Sequence, residues 1–155
     1  MIVVSDTSPL NYLILIDLTH LLPALFGRII IPEAVVDELH SPMAPEPVRR
    51  WMAALPGWVE VRPAGPPDLS LRGLDAGEHQ VIVLAQRLRA GLVLMDEARG
   101  RTAARERGLT VAGVVGVLHR AARRSLVDLN VAVERLQQTS SRASPRLLAS
   151  LKKRR

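Results

Sequence analysis

The chain has 155 residues, of which 48% are hydrophobic and 23% charged, a composition that excludes wholesale disorder and fits one domain. It contains no cysteine, which excludes disulfides, thiolate zinc sites and cysteine nucleophiles. The net charge of +6 is unevenly divided: residues 1–97 carry 7 basic and 12 acidic side chains, whereas residues 98–155 carry 14 and 3, which indicates either an anionic partner for the second half or a coding bias with an exposed basic tail.

Short apolar runs alternate with helical patterns along the chain. The first run ends at Asp6, and Ser8-Pro9 predicts the N-cap and first position of a helix that continues to about residue 16. The Pro- and Gly-rich segment 63–72 predicts a loop. The predicted strands are residues 1–6, 28–31, 58–62 (an edge strand), 91–96 and 109–113. The further predicted helices are residues 18–26, 33–40, 46–55, 75–90, 98–107, 114–123 and 126–137, with a loose basic helix past Thr139.

This alternation predicts an α/β fold, a three-layer α/β/α sandwich around a parallel sheet of four or five strands. We expect residues 1–139 to form the domain and residues 140–155 a basic C-terminal tail. Charges and proline interrupt the apolar residues 10–31, so no membrane span is expected. The start lacks the features of a signal peptide, and the expected location is therefore the cytoplasm.

Several familiar sites are absent from the sequence. There is no phosphate-binding G-x-x-x-x-G-K-[ST] loop, no G-x-G-x-x-G after a strand and no G-x-S-x-G turn, so the commonest nucleotide-binding and serine-hydrolase sites are excluded. The four histidines lie far apart without metal-ligand spacing, and we interpret them as surface or helix-end residues. Carboxylates remain as the candidate functional groups.

Four carboxylates stand at informative positions. Asp6 and Asp96 end predicted strands, and ligands bind parallel sheets at the carboxyl ends of strands where the strand order reverses; the alternative is that each caps the following helix. Glu38 lies near a helix C-terminus, where a negative charge opposes the helix dipole and has no local structural reason. Glu78 is three residues after Asp75, which is the spacing of a capping box, and capping and metal binding are equally compatible with it.

Gathered at one edge of the sheet, four carboxylates repel one another unless a cation lies between them. Oxygen ligands without histidine or cysteine favour Mg²⁺ or Mn²⁺. Such an ion activates water and stabilises a leaving oxygen in phosphodiester hydrolysis. The residues therefore predict phosphate chemistry at this edge.

The spacing also resembles a known family, the PIN-domain ribonucleases, and in particular the VapC-like toxins of prokaryotic toxin–antitoxin pairs. The matching segments are a strand followed by D-T-S (residues 1–10), P-x-x-V-x-x-E-L (32–39), L-D-x-G-E (74–78) and a strand followed by D (92–101). The resemblance covers residues 1 to about 120. It implies that Asp6, Glu38, Glu78 and Asp96 form the acidic metal site and that the Ser8 hydroxyl assists.

The resemblance implies a Mg²⁺- or Mn²⁺-dependent endoribonuclease that is neutralised by a small antitoxin protein. In this interpretation Arg99, Arg101 and Arg105 contact the phosphates of the RNA substrate. Glu97, next to Asp96, is an auxiliary candidate, although it is most simply an exposed residue of the first helical turn. We expect a homodimer through the apolar helices after Gly108, which could equally close the sheet.

Two other classes of protein remain open. A phospho-receiver domain shares the parallel α/β fold but needs a lysine near the last strand, and the only lysines are Lys152 and Lys153. A non-catalytic module that binds nucleic acid or protein would keep the fold and lose turnover. A rise in melting temperature with Mn²⁺ distinguishes an intact metal site from such a module.

Overall fold

A computed structural model describes residues 1–139 of the protein, and the basic tail predicted at residues 140–155 lies outside this range. Within it, five parallel strands form one sheet in the order β3-β2-β1-β4-β5. This confirms the predicted parallel sheet, and five is the larger of the two strand numbers that were predicted. The strands are β1 (Val3–Ser5), β2 (Ile29–Ile31), β3 (Val59–Val61), β4 (Leu92–Leu94) and β5 (Val111–Ala112).

Helices flank the sheet on both faces, which gives the predicted three-layer α/β/α sandwich. Each predicted helix within residues 1–139 is present, with ends that differ from the prediction by a few residues. The helices are α1 (Thr7–Leu15), α2 (Leu21–Phe26), α3 (Glu33–Leu39), α4 (Glu46–Ala53), α5 (Ala76–Leu88), α6 (Ala98–Glu106), α7 (Val114–Arg123) and α8 (Leu129–Gln138). No helix in this part of the chain has both the length and the unbroken apolar character that a membrane crossing requires.

The burial of the strands follows their place in the sheet. Every residue of the three inner strands β1, β2 and β4 is buried, whereas the outer strands β3 and β5 are partly exposed. A strand covered on both faces needs a continuous apolar run, and an edge strand tolerates polar residues. The alternating sequence of residues 58–62 therefore indicated the edge position correctly.

The predicted start of α1 is wrong by two residues. The helix begins at Thr7, with Asp6 at the N-cap position, so Pro9 is its third residue and not its first. Proline is accommodated there because the first N–H groups of a helix have no intrahelical partner.

Candidate functional site

Asp6 and Asp96 lie beyond the ends of the neighbouring strands β1 and β4. These strands pair in parallel, and the backbone N–H of Asp6 extends the pairing by donating to the carbonyl of Leu94 at 2.8 Å. The chain leaves β1 towards β2 and leaves β4 towards β5, so the strand order reverses between β1 and β4. Both aspartates therefore stand at the switch point of the sheet, which is where ligands bind in such folds.

The Asp6 carboxylate is not a helix cap. It is at the N-cap position of α1, but its side chain accepts no capping hydrogen bond. The residue is only 4% exposed, and its Oδ1 is buried without a hydrogen-bond partner among the described residues. Burial raises the pKa of Asp6 to about 8, opposed by a hydrogen bond from the backbone of Thr7 and reinforced by repulsion from Asp75, Glu38 and Glu78. A buried acceptor without a donor is costly, which points to a ligand.

Glu38 reaches Asp6 from the end of α3. Its Oε2 accepts a hydrogen bond from the Thr7 hydroxyl, which ties α3 to the start of α1. Its other oxygen, Oε1, and the unpartnered Oδ1 of Asp6 both face Gly77 in the first turn of α5. A Cβ atom added to Gly77 would lie 2.7 Å from the first oxygen and 3.0 Å from the second. The two carboxylates thus converge on one point, and only glycine leaves room for both.

The position of these two carboxylates has an electrostatic basis. The first turn of α5 carries backbone N–H groups and the positive end of a helix of 13 residues. Negative charge is stabilised there. The residue that sequence reasoning overlooked is Gly77, although the motif L-D-x-G-E contained it.

Glu78 has the capping role that its spacing predicts. Its backbone N–H donates to Asp75 Oδ1 at 2.8 Å, and its Oε1 accepts from the Asp75 N–H at 3.0 Å. Its side chain is fully buried, and Oε2 has no hydrogen-bond partner within residues 1–139. Burial, followed by the charge of Asp75, raises the pKa of Glu78, while a hydrogen bond from Arg99 lowers it. Capping uses one oxygen, and the other faces Gly100 on α6, where an added Cβ would lie 2.8 Å from it.

Arg99 was predicted to contact RNA, and in the structure it pairs with the acidic cluster, which consists of Asp6, Glu38, Asp75 and Glu78. Its Nε donates to Glu78 Oε1 at 2.9 Å, and its terminal nitrogen lies 3.5 Å from Asp75 Oδ2. The Arg99 side chain is 59% exposed, so it remains accessible to solvent despite this pairing. Nothing in the sequence distinguished Arg99 from its neighbours, because the pairing depends on how α6 is rotated against α5.

Asp96 has different neighbours from the other three carboxylates. Its Oδ1 accepts from the backbone N–H of Val114 at 2.9 Å, so it caps α7 and not α6. Its Oδ2 is buried without a hydrogen-bond partner among the described residues. Burial raises its pKa to about 6, with Arg101 acting in the opposite direction and Glu97 in the same direction. The structure thus groups Asp6, Glu38 and Glu78 around the start of α5 and holds Asp96 at the start of α7.

The donor set suits a small hard cation bound through few protein ligands. Among residues 1–139 no three acidic or histidine side chains are close enough together to hold one metal ion. Mg²⁺, however, commonly binds through one or two carboxylates and keeps several waters. Asp6 and Glu38 supply such a pair. Asp6 Oδ1 has no hydrogen-bond donor among the described residues, and it faces Gly77 together with Glu38 Oε1. The residues therefore fit the cation, with Glu78 close by.

Of the remaining predicted site residues, Ser8 and Glu97 lie near this edge, whereas Arg105 is in the last turn of α6. Ser8 is the second residue of α1 and is half-buried, and Glu97 is at the N-cap position of α6 without a capping hydrogen bond. Arg101 and Arg105 are on α6. Arg105 is exposed, whereas Arg101 is half-buried beside Gly113, where an added Cβ would lie 3.0 Å from its guanidinium.

Comparisons with known proteins identify relatives of this fold. A family model described as PIN domain matches residues 2–155. A solved structure, a PilT N-terminus domain protein from the hyperthermophilic archaeon Sulfolobus solfataricus P2, is similar with a TM-score of 0.59 and 18% sequence identity. The match covers 78% of this chain and 93% of that one, and at this identity it shows a shared fold. No curated protein sequence matches the chain.

Proposed function

The chain belongs to the PIN-domain family, and from that premise we propose that it is a Mg²⁺- or Mn²⁺-dependent endoribonuclease, the toxin of a type II toxin–antitoxin pair. One observation carries the nuclease proposal. Asp6 is buried at the switch point with an oxygen that lacks a donor, and Glu38 converges with it on Gly77. Neither helix capping nor an ion pair accounts for this arrangement, whereas a cation between the carboxylates does.

In this proposal Asp6 and Glu38 hold the cation, and Glu78 adds negative charge near Asp6. When bound, the cation supplies Lewis-acid stabilisation of the charge that develops on the phosphate in hydrolysis. The chain's own residues preorganise the ligands. The Thr7 hydroxyl fixes Glu38, and the backbone of Asp75 fixes Glu78. Gly77 leaves the space in which the carboxylates meet.

The second half of the chain supplies the positive charge for RNA. Arg99 stands beside the acidic cluster with part of its guanidinium in solvent, and Arg105 is exposed on the same helix. Arginine suits phosphate because its guanidinium donates two parallel hydrogen bonds. We assign the RNA backbone to the α6 side of the site. Asp96 and Ser8 assist at the site without holding the cation.

Cleavage of RNA by purified protein tests the nuclease proposal. We expect cleavage in Mg²⁺ or Mn²⁺ that stops with EDTA, and a loss of at least about a hundredfold in Glu38→Gln, which keeps the size of the side chain and removes its charge. Asp37→Asn is the matched control, because Asp37 is the exposed neighbour of Glu38 on α3. Cleavage that persists in EDTA would exclude the metal mechanism. Absence of both cleavage and any Mn²⁺-induced rise in melting temperature would favour the non-catalytic module.

The toxin part of the proposal has its own test. A small antitoxin protein encoded beside this chain should bind it and suppress cleavage, and the gene for this chain alone should arrest growth on induction. Glu38→Gln should abolish the arrest. Growth arrest of equal strength with Glu38→Gln would separate toxicity from the acidic site. We also expect the protein to be a homodimer in the cytoplasm, which size determination and cell fractionation check.

A further inference from the structure

A cavity of about 350 Å³ lies against the first two turns of α5. Its volume is at the lower end of the range for ligand pockets, roughly 300–1,000 Å³. One wall is α5, including Ala76 and Val83, and the roof is the segment 62–75, called here the 62–75 loop, which ends at Asp75, the N-cap residue of α5. Asp75 is shared with the acidic cluster, where its charge raises the pKa of Asp6. The cavity and the cluster are therefore adjacent.

The 62–75 loop is anchored by side chains from outside it. Arg107 donates to Asp68 Oδ2 and to Ser70 Oγ, both at 2.7 Å. Arg87 donates to the carbonyl of Pro63 at 2.6 Å, and the backbone N–H of Asp68 donates to His79 Nε2 at 3.0 Å. A connection of this length without helix or strand is uncommon in compact domains and is usually functional. Here the anchors maintain a roof over an open cavity.

The chemistry of the walls favours a flat neutral ligand with polar edges. Among the described residues that line the cavity, none is lysine or arginine, and the Arg87 guanidinium beside Gly65 is already hydrogen-bonded to the Pro63 carbonyl. Pro66, Pro67 and Leu74 contribute apolar surface. The Gln80 carbonyl oxygen accepts from the N–H of Ala34 at 2.9 Å, which orients its amide N–H groups as donors. The Asp75 carboxylate is an acceptor on the same wall.

We propose that this cavity is a nucleobase subsite, which receives one base of the RNA strand whose backbone lies at the acidic cluster. The proposal rests on the proposed nuclease function and names how its substrate is held. A nucleobase is flat and neutral, and apolar walls with a few polar groups hold it well. Because Asp75 is an acceptor, bases with an exocyclic amino group bind better than uracil.

Nucleosides test the subsite without phosphate, metal or turnover. We expect adenosine, cytidine and guanosine at millimolar concentration to shift the backbone NMR signals of residues 64–67 and 74–80, with smaller shifts from uridine. Val83→Phe fills the cavity and should weaken nucleoside binding by at least about tenfold, or 1.4 kcal/mol. Ala76→Leu, at an exposed position of the rim, is a second variant that leaves the core intact. Val131→Phe, on the exposed side of α8, is the control and should bind like the wild type.

The outcomes separate this proposal from the nuclease proposal. In a cleavage assay, Val83→Phe should raise KM with little change in kcat, because the base contact positions the strand and does not touch the reacting atoms. Cleavage without any nucleoside-induced shift in wild type would overturn the subsite and leave the nuclease standing. Nucleoside shifts in a protein that cleaves no RNA would keep the subsite and overturn the nuclease. Shifts that survive in both Val83→Phe and Ala76→Leu would place the nucleosides elsewhere and overturn the subsite.

Discussion

Asp6 places a carboxylate where burial and like charges both oppose its ionisation. Its pKa is about 8 in the folded protein, against 3.8 for the unfolded chain. A raised pKa means that the folded state binds the proton more tightly, so the unfolding free energy falls as pH rises from about 4 to 8. A bound cation takes over the role of the proton, since metal ligands must be deprotonated.

Asp6→Asn should therefore be more stable than the wild type at alkaline pH when metal is absent. We expect equal melting temperatures near pH 4 in EDTA and a melting temperature of the variant that is higher by several degrees near pH 8. The variant should also lose the rise that Mn²⁺ gives the wild type. Melting curves between pH 4 and 8, with Asp37→Asn as the exposed control, measure this. A difference in melting temperature between variant and wild type that is the same at every pH would show that folding does not raise the pKa of Asp6.

At the scale of single elements, the first turn of α5 joins capping to the acidic site. Alanine is a better helix former than glycine by about 1 kcal/mol, so Gly77→Ala should stabilise a helix that has no other role. Here the added Cβ would meet the carboxylates of Glu38 and Asp6. Glu38 is exposed and can move away at little cost, but it then leaves the cation site.

We thus expect Gly77→Ala to melt within a few degrees of the wild type in EDTA and to lose most of its Mn²⁺ response. Gly57→Ala is the control, because a Cβ at Gly57 meets nothing within 4 Å. Thermal unfolding with increasing Mn²⁺ compares the two variants. A full Mn²⁺ response in Gly77→Ala would mean that the cation does not lie between Asp6 and Glu38.

The elements were predictable to the extent that local sequence determines them. Apolar runs that end at aspartate, glycine or proline located the strands, and the Asp75–Glu78 spacing predicted the capping box correctly. Contacts between residues far apart in the sequence could not be predicted from local sequence. The donor to Asp96 is the N–H of Val114, 18 residues later, and Arg99 reaches Glu78 only because α6 packs on α5 in one rotation. The sequence predicted that carboxylates lie at one edge of the sheet, but it could not show which of them lie close together.

At the scale of the whole molecule, the uneven distribution of charge along the chain determines where RNA is expected to bind. Residues 98–139 alone carry 8 basic and 3 acidic side chains, so the positive second half does not depend on the tail. Each phosphate that an arginine neutralises releases counterions, and the slope of log K against log salt then changes by about 0.7 for single strands. An arginine that contacts RNA therefore affects the salt dependence of binding as well as its strength.

Arg105→Gln should reduce that slope by roughly one phosphate contact and weaken binding similarly for all RNA sequences. Arg105 is exposed on α6 and forms no part of the acidic cluster, so the fold should be unaffected. Arg49→Gln on α4 is the matched control, since Arg49 is equally exposed but belongs to the acidic half of the chain. Binding of a fluorescent RNA to Glu38→Gln protein at several salt concentrations, with and without each substitution, gives the slopes. Equal slopes for the two arginine variants would show that Arg105 does not contact the RNA.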